Sequence, residues 1–178
     1  MRRSRGRWLR TTIPALPLAL AVLMPCAPLA HAAGPKIIGT VTFVGRPGLE
    51  SIGIVSFAWT AHVPPPLGGS GGGAGKPTFD PFRIVALVDA TSPALLDLTL
   101  RGTLLHDVHI DVNVRRGTIA SYDLSNVTIT ANTRRVPDGG GPPLEELELT
   151  TSAVRETVTS PGGTVTTCFD LATSKSCD

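Results

Sequence analysis

The segment most informative about the fold is His106–Arg116, "HDVHIDVNVRR", in which polar and apolar residues alternate from Asp107 to Arg115. Every second position is apolar: Val108, Ile110, Val112 and Val114. The positions between them are polar: His109, Asp111 and Asn113. Side chains of a β-strand point to opposite faces in turn, so this pattern predicts a strand with one face in a core and a polar outer face.

Strand patterns continue on both sides of this segment. β-Rich or alternating runs occur at Lys36–Val44, Ser51–Val63, Thr78–Val88, Ser121–Thr133 and Leu144–Val158. In the second run Val55, Phe57, Trp59, Ala61 and Val63 share one face, and in the last run Leu147, Leu149, Thr151 and Ala153 do. Turn residues separate the runs. The chain is therefore predicted to be mainly β, a single-domain barrel or two-sheet sandwich.

Two local features interrupt the simple alternation. Between Leu124 and Val127 the apolar residues change phase, which indicates a β-bulge. One short helix is predicted to begin with Ser92 as N-cap and Pro93 as its first residue. Its apolar side carries Leu95, Leu96 and Leu98, and Gly102 is a natural residue to follow its end.

The first 32 residues have the layout of a secretory signal peptide, with five arginines within Met1–Arg10, an apolar run and the small-residue site "AHA". Cleavage is expected after Ala32, which predicts a periplasmic or extracellular protein; translation from Met24 would make it cytoplasmic instead. Without the five arginines the net charge falls from +2 to −3. The mature chain then has no excess of basic residues for nucleic acid, and it has no span for a membrane.

The expected domain, residues 33–160, is followed by a tail, residues 161–178, that contains Cys168 and Cys177. These are the only cysteines left after cleavage, and an oxidising compartment favours a disulfide between them. Two free thiols in a frayed tail remain the alternative.

A glycine-rich run, "GGSGGGAGKPTFD" at Gly68–Asp80, looks at first like a phosphate-binding loop. That motif needs glycine at position 70 and serine or threonine at 77, where this chain has Ser70 and Pro77. It also needs a helix N-terminus after the lysine, whereas a strand is predicted there. Nucleotide binding is therefore not expected, and no cofactor is predicted.

No catalytic or metal-binding set is predicted, and the chain is not expected to be an enzyme. His109 and Asp111 share a strand face, but they lack a third ligand and zinc-type spacing, so a solvated or lumen-facing polar stripe is expected. Glu145, Glu146 and Glu148 are interpreted as a solvated strand rim rather than a carboxylate pair. Trp59 is expected to pack in the core rather than stack on a ligand.

An ordered set of motifs resembles the Hcp family, the tube protein of type VI secretion systems. The set runs "SFAW", "GGGAGKPTFDPFRI", "VDATSPALLDLTLRGT", "VHIDVNVRRG" and "YDLSNVTITA", and it covers about Ile37–Val158. The resemblance implies a β-barrel with a short helix on its side, assembled into hexameric rings that stack as a tube and carry effector proteins.

The resemblance also assigns the glycine run a role, since Gly71, Gly72, Gly73, Ala74, Gly75 and Lys76 would form a loop that reaches toward neighbouring subunits or rings. Tube proteins of the family normally lack a signal peptide and the cysteine tail. The chain is therefore expected to be an exported, ring-forming variant whose partners are its own copies and, with them, effectors or spike components. The alternative is a monomeric secreted β-domain that binds a protein.

Overall fold

A computed structural model describes residues 34–65, 75–114, 117–138 and 140–177. The predicted signal peptide, residues 1–32, lies outside the described residues. The first half of the chain contributes β1 (Gly39–Phe43), β2 (Ile52–Ala58), β3 (Ala61–His62), β4 (Thr78–Phe79), β5 (Phe82–Leu87) and α1 (Ser92–Leu100). The second half contributes β6 (Leu105–Asn113), β7 (Ile119–Arg135), β8 (Leu144–Thr150), β9 (Ala153–Ser160), β10 (Gly163–Asp170) and β11 (Lys175–Ser176).

Six of these strands close into a barrel, in the order β7, β6, β1, β2, β5 and β8, with β8 pairing back onto β7. All the pairings are antiparallel. The prediction of a mainly β fold with one helix is confirmed, and between barrel and sandwich the structure shows the closed barrel. The strand that decided the fold, β6, lies between β1 and β7.

The 17-residue strand β7 belongs to two structures at once. Along one edge it pairs with β6 at Ile119–Val127; along the other it pairs first with β9 at Ile119–Ser125 and then with β8 at Thr128–Arg135. Strands β9, β10 and β11 extend the sheet beyond the barrel, and we call them the arm. The segment expected as a tail, residues 161–178, contains β10 and β11 of this arm.

Among the described residues the core holds 21 buried apolar residues, and alternation along the strands supplies most of them. In β5 the predicted phase is right, with Phe82, Ile84 and Ala86 buried. In β6, Val108 and Ile110 are buried as predicted, although Val114 at the strand end is 50% exposed.

The predicted face of the second strand run is wrong in its first half. Ile52 and Ile54 are buried, whereas Val55 is only partly so. The register with β5 shifts between Ile54 and Ser56, so an irregularity there moves the inward face from even to odd positions. Phe57 and Trp59, beyond the irregularity, do pack against the core as predicted.

The predicted phase change in β7 is confirmed. Tyr122 and Leu124 are buried before it, Val127 and Ile129 after it. Asn126 between them has a φ of 53°, a left-handed conformation that asparagine tolerates better than most residues. A further register shift follows between Ile129 and Ala131.

The run Leu144–Val158, predicted as one long strand, is two strands, because it breaks at Thr151 and Ser152. The Thr151 hydroxyl contacts the carbonyl oxygens of Ser125 and Ala153 at 2.7 and 2.8 Å. The Ser152 amide donates to the Ser125 carbonyl at 3.0 Å. This break lets β8 stay in the barrel while β9 enters the arm.

Helix α1 connects β5 to β6, and its N-cap is Thr91 rather than the predicted Ser92. The Ser92 hydroxyl instead donates a hydrogen bond to Glu145. Leu95 and Leu98 are buried. Gly102 follows the helix with a φ of +56°, as predicted. Gly39 in β1 is required for close strand packing: a Cβ there would clash with the carbonyl oxygen of Asp111 on β6, so only glycine fits.

Candidate functional site

The glycine run predicted as an assembly loop begins and ends at one small ladder. Strand β3 pairs with β4, so His62 lies opposite Thr78, and the loop connects these two strands. Of the six predicted loop residues, Gly71, Gly72, Gly73 and Ala74 lie outside the described residues. Gly75 and Lys76 lie immediately before β4.

Close backbone contacts hold the base of this loop. The Gly75 amide donates to the Pro64 carbonyl at 3.4 Å, and a Cβ on Gly75 would lie 3.0 Å from the Pro64 Cβ. The His62 Nε2 lies 3.0 Å from an Asp80 carboxylate oxygen across the same end. A side chain at position 75 would therefore crowd Pro64. Strand β4 occupies the place where a phosphate-binding loop needs a helix.

The loop base lies beside the arm. The pKa of Asp170 at the end of β10 is lowered, first by hydrogen bonds from backbone amides including Thr173, and also by the nearby positive charge of Lys76. The exposed Lys76 thus approaches the arm from the loop side.

Aromatic side chains fill the space between loop base and barrel. Trp59 stacks on the buried Phe82, with centroids 5.2 Å apart and planes 13° apart, and meets Phe79 edge-to-face at 5.6 Å. Tyr122 contacts Phe57 with centroids at 4.9 Å. The prediction that Trp59 packs against the core is confirmed.

His109 and Asp111, predicted to share the outer face of β6, do so, and a third residue joins them. The His109 Nδ1 lies 2.6 Å from an Asp123 carboxylate oxygen, and its Nε2 lies 3.1 Å from an Asp111 oxygen. Burial alone would lower the pKa of His109, but the hydrogen bond to Asp123 and the two carboxylate charges together raise it. The face is a polar stripe with alternating charges.

The interpretation of the acidic cluster is wrong for Glu145, which is fully buried. It has the same strand phase as the core residues Leu147 and Leu149, so its side chain points inward. Its carboxylate accepts hydrogen bonds from Ser92 Oγ at 2.7 Å and Asn132 Nδ2 at 2.8 Å.

Arg134, opposite Glu145 on β7, completes this buried network. Its guanidinium contacts Glu145 Oε1 at 3.1 Å and the Ser92 carbonyl at 2.7 Å. The three elements α1, β7 and β8 are therefore joined through one carboxylate. Of the other two glutamates in the predicted rim, Glu148 pairs with Arg83 at 3.1 Å on the outside of the barrel.

Cys168 and Cys177, the predicted cysteine pair, are joined by a disulfide, with their Cα atoms 5.2 Å apart. Cys168 lies on β10, and the Cys177 amide donates to the Cys168 carbonyl at 3.3 Å. The bond therefore fastens the end of the chain onto β10 beside the short β11.

Sequence reasoning missed a cavity between the arm and the loop base. Trp59 and Phe79 line one side of it, and Val154, Glu156 and Phe169 of the arm line the other. The inward phase of β9 is readable once the chain is broken at Thr151, because Val154, Glu156 and Val158 then share one face. The position of Phe169 is not readable, since it depends on the pairing of β10 with β9.

Within the ranges that the structure describes, no group of three or more His, Cys, Asp or Glu residues could hold a metal ion. A search of the same ranges finds no helix long and apolar enough to cross a membrane.

Comparison with known proteins gives one family. The family described as "Type VI secretion system effector, Hcp" matches residues 36–157. Curated proteins give no match. Among solved structures, Hcp1 of Salmonella typhimurium superposes with a TM-score of 0.63 at 16% identity, covering 80% of this chain and all of that one.

Two further structures show the same fold. A structure titled only as a type six secretion system protein has a TM-score of 0.67 at 17% identity, covering 80% of this chain and all of its own. Hcp1 from the E. coli EAEC 042 pathovar, as a double mutant, has a TM-score of 0.58 at 18% identity over 76% of this chain and 99% of its own.

Proposed function

This chain belongs to the Hcp family of type VI secretion proteins, and we propose that it is a structural subunit that self-associates into rings.

 The proposed role is structural and not catalytic. The observation that carries it is the family match over 36–157, which spans the whole barrel and most of β9. A closed barrel that covers all of a solved Hcp chain supports the same conclusion at the level of the fold.

Self-association is proposed to use the glycine loop together with the outer faces of the barrel. The loop base is fixed by Gly75 and Pro64, so Gly71–Lys76 would project from a rigid ladder. Apolar side chains exposed on the described surface give further contact area: Val44, Val63, Leu100, Leu104, Val136 and Val165. Hexameric rings that stack into a tube, with effectors or spike components as partners, are proposed from the family resemblance.

Export is proposed as the feature that sets this chain apart from cytoplasmic tube subunits. The signal-like layout of residues 1–32 supports it in the sequence. The disulfide between Cys168 and Cys177 supports it in the structure, since such bonds persist mainly in oxidising compartments. N-terminal sequencing of fractionated cells tests this: a mature chain beginning near Ala33 outside the cytoplasm agrees, and a cytoplasmic chain beginning at Met24 contradicts export.

The assembly role of the loop is tested by Gly73→Trp, because glycine allows close backbone approach that a bulky side chain prevents. Light scattering after size exclusion should show loss of the ring in this variant, with an unchanged thermal unfolding curve. Gly34→Trp is the matched control, since nothing lies within 4 Å of the position that its Cβ would take. Ring formation by Gly73→Trp equal to that of the control would contradict the loop contact, and a monomeric parent chain would favour the secreted binding module.

A further inference from the structure

The cavity between the arm and the loop base is open to the surface of the single chain. It encloses about 280 Å³ and is almost entirely apolar. Its walls come from two parts of the fold: Trp59, Pro77 and Phe79 on the loop side, and Val154, Glu156 and Phe169 on the arm.

Three aromatic rings surround this space at steep angles to one another. The planes of Trp59 and Phe79 are 88° apart, and those of Phe79 and Phe169 are 71° apart with centroids at 6.2 Å. All three rings are only partly buried, whereas Phe82 behind them is fully buried. The rings therefore line an open space instead of closing into the core.

One acidic residue, Glu156, lies at the edge of this aromatic space. Glu156 on β9 lies directly opposite Tyr122 of β7 and Thr167 of β10, so it shares their face of the sheet. Among the described residues it forms no ion pair with a lysine or arginine. Burial raises the pKa of the Tyr122 hydroxyl, and the neighbouring Glu156 raises it further. Within the described residues, the cavity therefore has a carboxylate beside it that no lysine or arginine pairs with.

We propose that this cavity binds the alkylated ammonium group of an organic cation. Aromatic faces attract such cations through their quadrupole, and the attraction grows when water is excluded. The apolar walls suit the carbon atoms around the nitrogen, and Glu156 supplies the opposite charge. A bare metal ion is not suited, because it needs several oxygen ligands and the cavity offers one carboxylate.

Two sources could supply this group, a free quaternary amine or the lysine side chain of a partner protein, and two probes separate them. Choline represents the first and butylammonium the second. The neutral isostere of choline, 3,3-dimethylbutan-1-ol, serves as the uncharged control. Binding to the full chain is followed by NMR, from the probe methyl signals and the indole N–H of Trp59.

The cation that binds more tightly identifies the source, and either should bind at least about tenfold more tightly than the neutral isostere. Glu156→Gln should weaken cation binding about tenfold and leave the isostere unaffected. Glu146→Gln is the matched control, because it makes the same change on a barrel strand outside the cavity. Phe169→Leu should weaken binding while keeping the volume apolar.

Three results would overturn the proposal. They are equal binding of the isostere and the cations, equal binding by the Glu156→Gln and Glu146→Gln variants, and no binding of either cation by a chain whose NMR spectrum shows it folded. None of these results bears on ring formation, which light scattering measures separately.

Discussion

The barrel and the arm are made of strands of similar length, but different interactions hold them together. Barrel strands bury one face completely, as Ile84, Leu147 and Leu149 show with no exposed surface. In β10 of the arm the first five residues are exposed, and Val165 on its inner face is 74% exposed. The arm relies on its ladder with β9, on threonine contacts such as Thr157 with Thr166 at 3.1 Å, and on the disulfide.

Because of this difference, the barrel and the arm should tolerate different substitutions. Burial stabilises the barrel, so a lost methylene there leaves a cavity, whereas the arm has little buried volume to lose. The arm consequently depends on the disulfide for stability more than the barrel does, and its open inner face leaves room for the proposed ligand site.

The largest contrast is expected from truncating one apolar residue in each region. Leu147→Ala should lower the free energy of unfolding by about 3 kcal/mol, because Leu147 is fully buried in the barrel. Val165→Ala in the arm should change it by less than about 0.5 kcal/mol. Urea unfolding of both variants measures this, and equal losses would show that the arm is packed as tightly as the barrel.

A smaller loss than that of Leu147→Ala is expected at the buried carboxylate of the barrel. Arg134→Ala leaves Glu145 buried with one partner fewer and should cost about 2 kcal/mol, below the range for fully buried pairs because the Arg134 side chain is 38% exposed. Arg83→Ala is the matched control; its pair with Glu148 is 60% exposed on the arginine side and should cost about 0.5 kcal/mol. Similar losses in the two variants would contradict the network.

Reducing the disulfide should affect the arm and leave the barrel intact. The bond joins residues nine positions apart, for which loop closure gives about 2.5 kcal/mol, confined here to the end of the chain. Amide hydrogen exchange should speed up in β10 and β11 after reduction and stay unchanged in β6. Faster exchange throughout the barrel would show that the two regions unfold as one.

The smallest effect is expected from the pH dependence of His109, which bridges Asp111 and Asp123 on the barrel's outer face beside Arg155 of the arm. Its pKa is raised in the folded protein. The ion pairs therefore stabilise fully below the unfolded value of about 6.5, and their contribution is lost as the pH rises through the folded pKa.

His109→Asn should remove this contribution, at most about 0.5 kcal/mol because the ring is partly exposed. The difference in unfolding free energy from the parent should be present at pH 5.5 and shrink toward zero as the pH rises. His106→Asn, on the exposed side of the same strand, should show no such trend. A difference for His109→Asn that is constant with pH would contradict the bridge.

The barrel could be predicted from the sequence better than the arm. The barrel strands were readable because alternation marks a half-buried strand, and even the phase change at Asn126 was visible. The irregularity between Ile54 and Ser56 was not, because both flanking runs are apolar and either phase fits. Glu145 was assigned to the surface by its charge, although its position between Leu147 and the helix placed it inside.

The arm was harder to predict because its strands have few buried residues to set a pattern. The threonine-rich segment Thr157–Thr167 reads equally as a polar tail, and only the pairing of β9 with β10 makes it a hairpin. The cavity depends on that pairing, since it brings Phe169 to Trp59 and Phe79 across a long sequence separation. The family resemblance, carried by motifs spread over the barrel, was predictable and the family match confirms it.

The central claim is that this barrel is a ring-forming subunit, and native mass spectrometry of the purified mature chain tests it most directly. We expect a closed oligomer of defined mass, with six copies by resemblance to the family. This oligomer should dissociate in the Gly73→Trp variant and persist in the Gly34→Trp variant. A chain that stays monomeric at micromolar concentration, with its disulfide intact and its barrel folded, would contradict the claim.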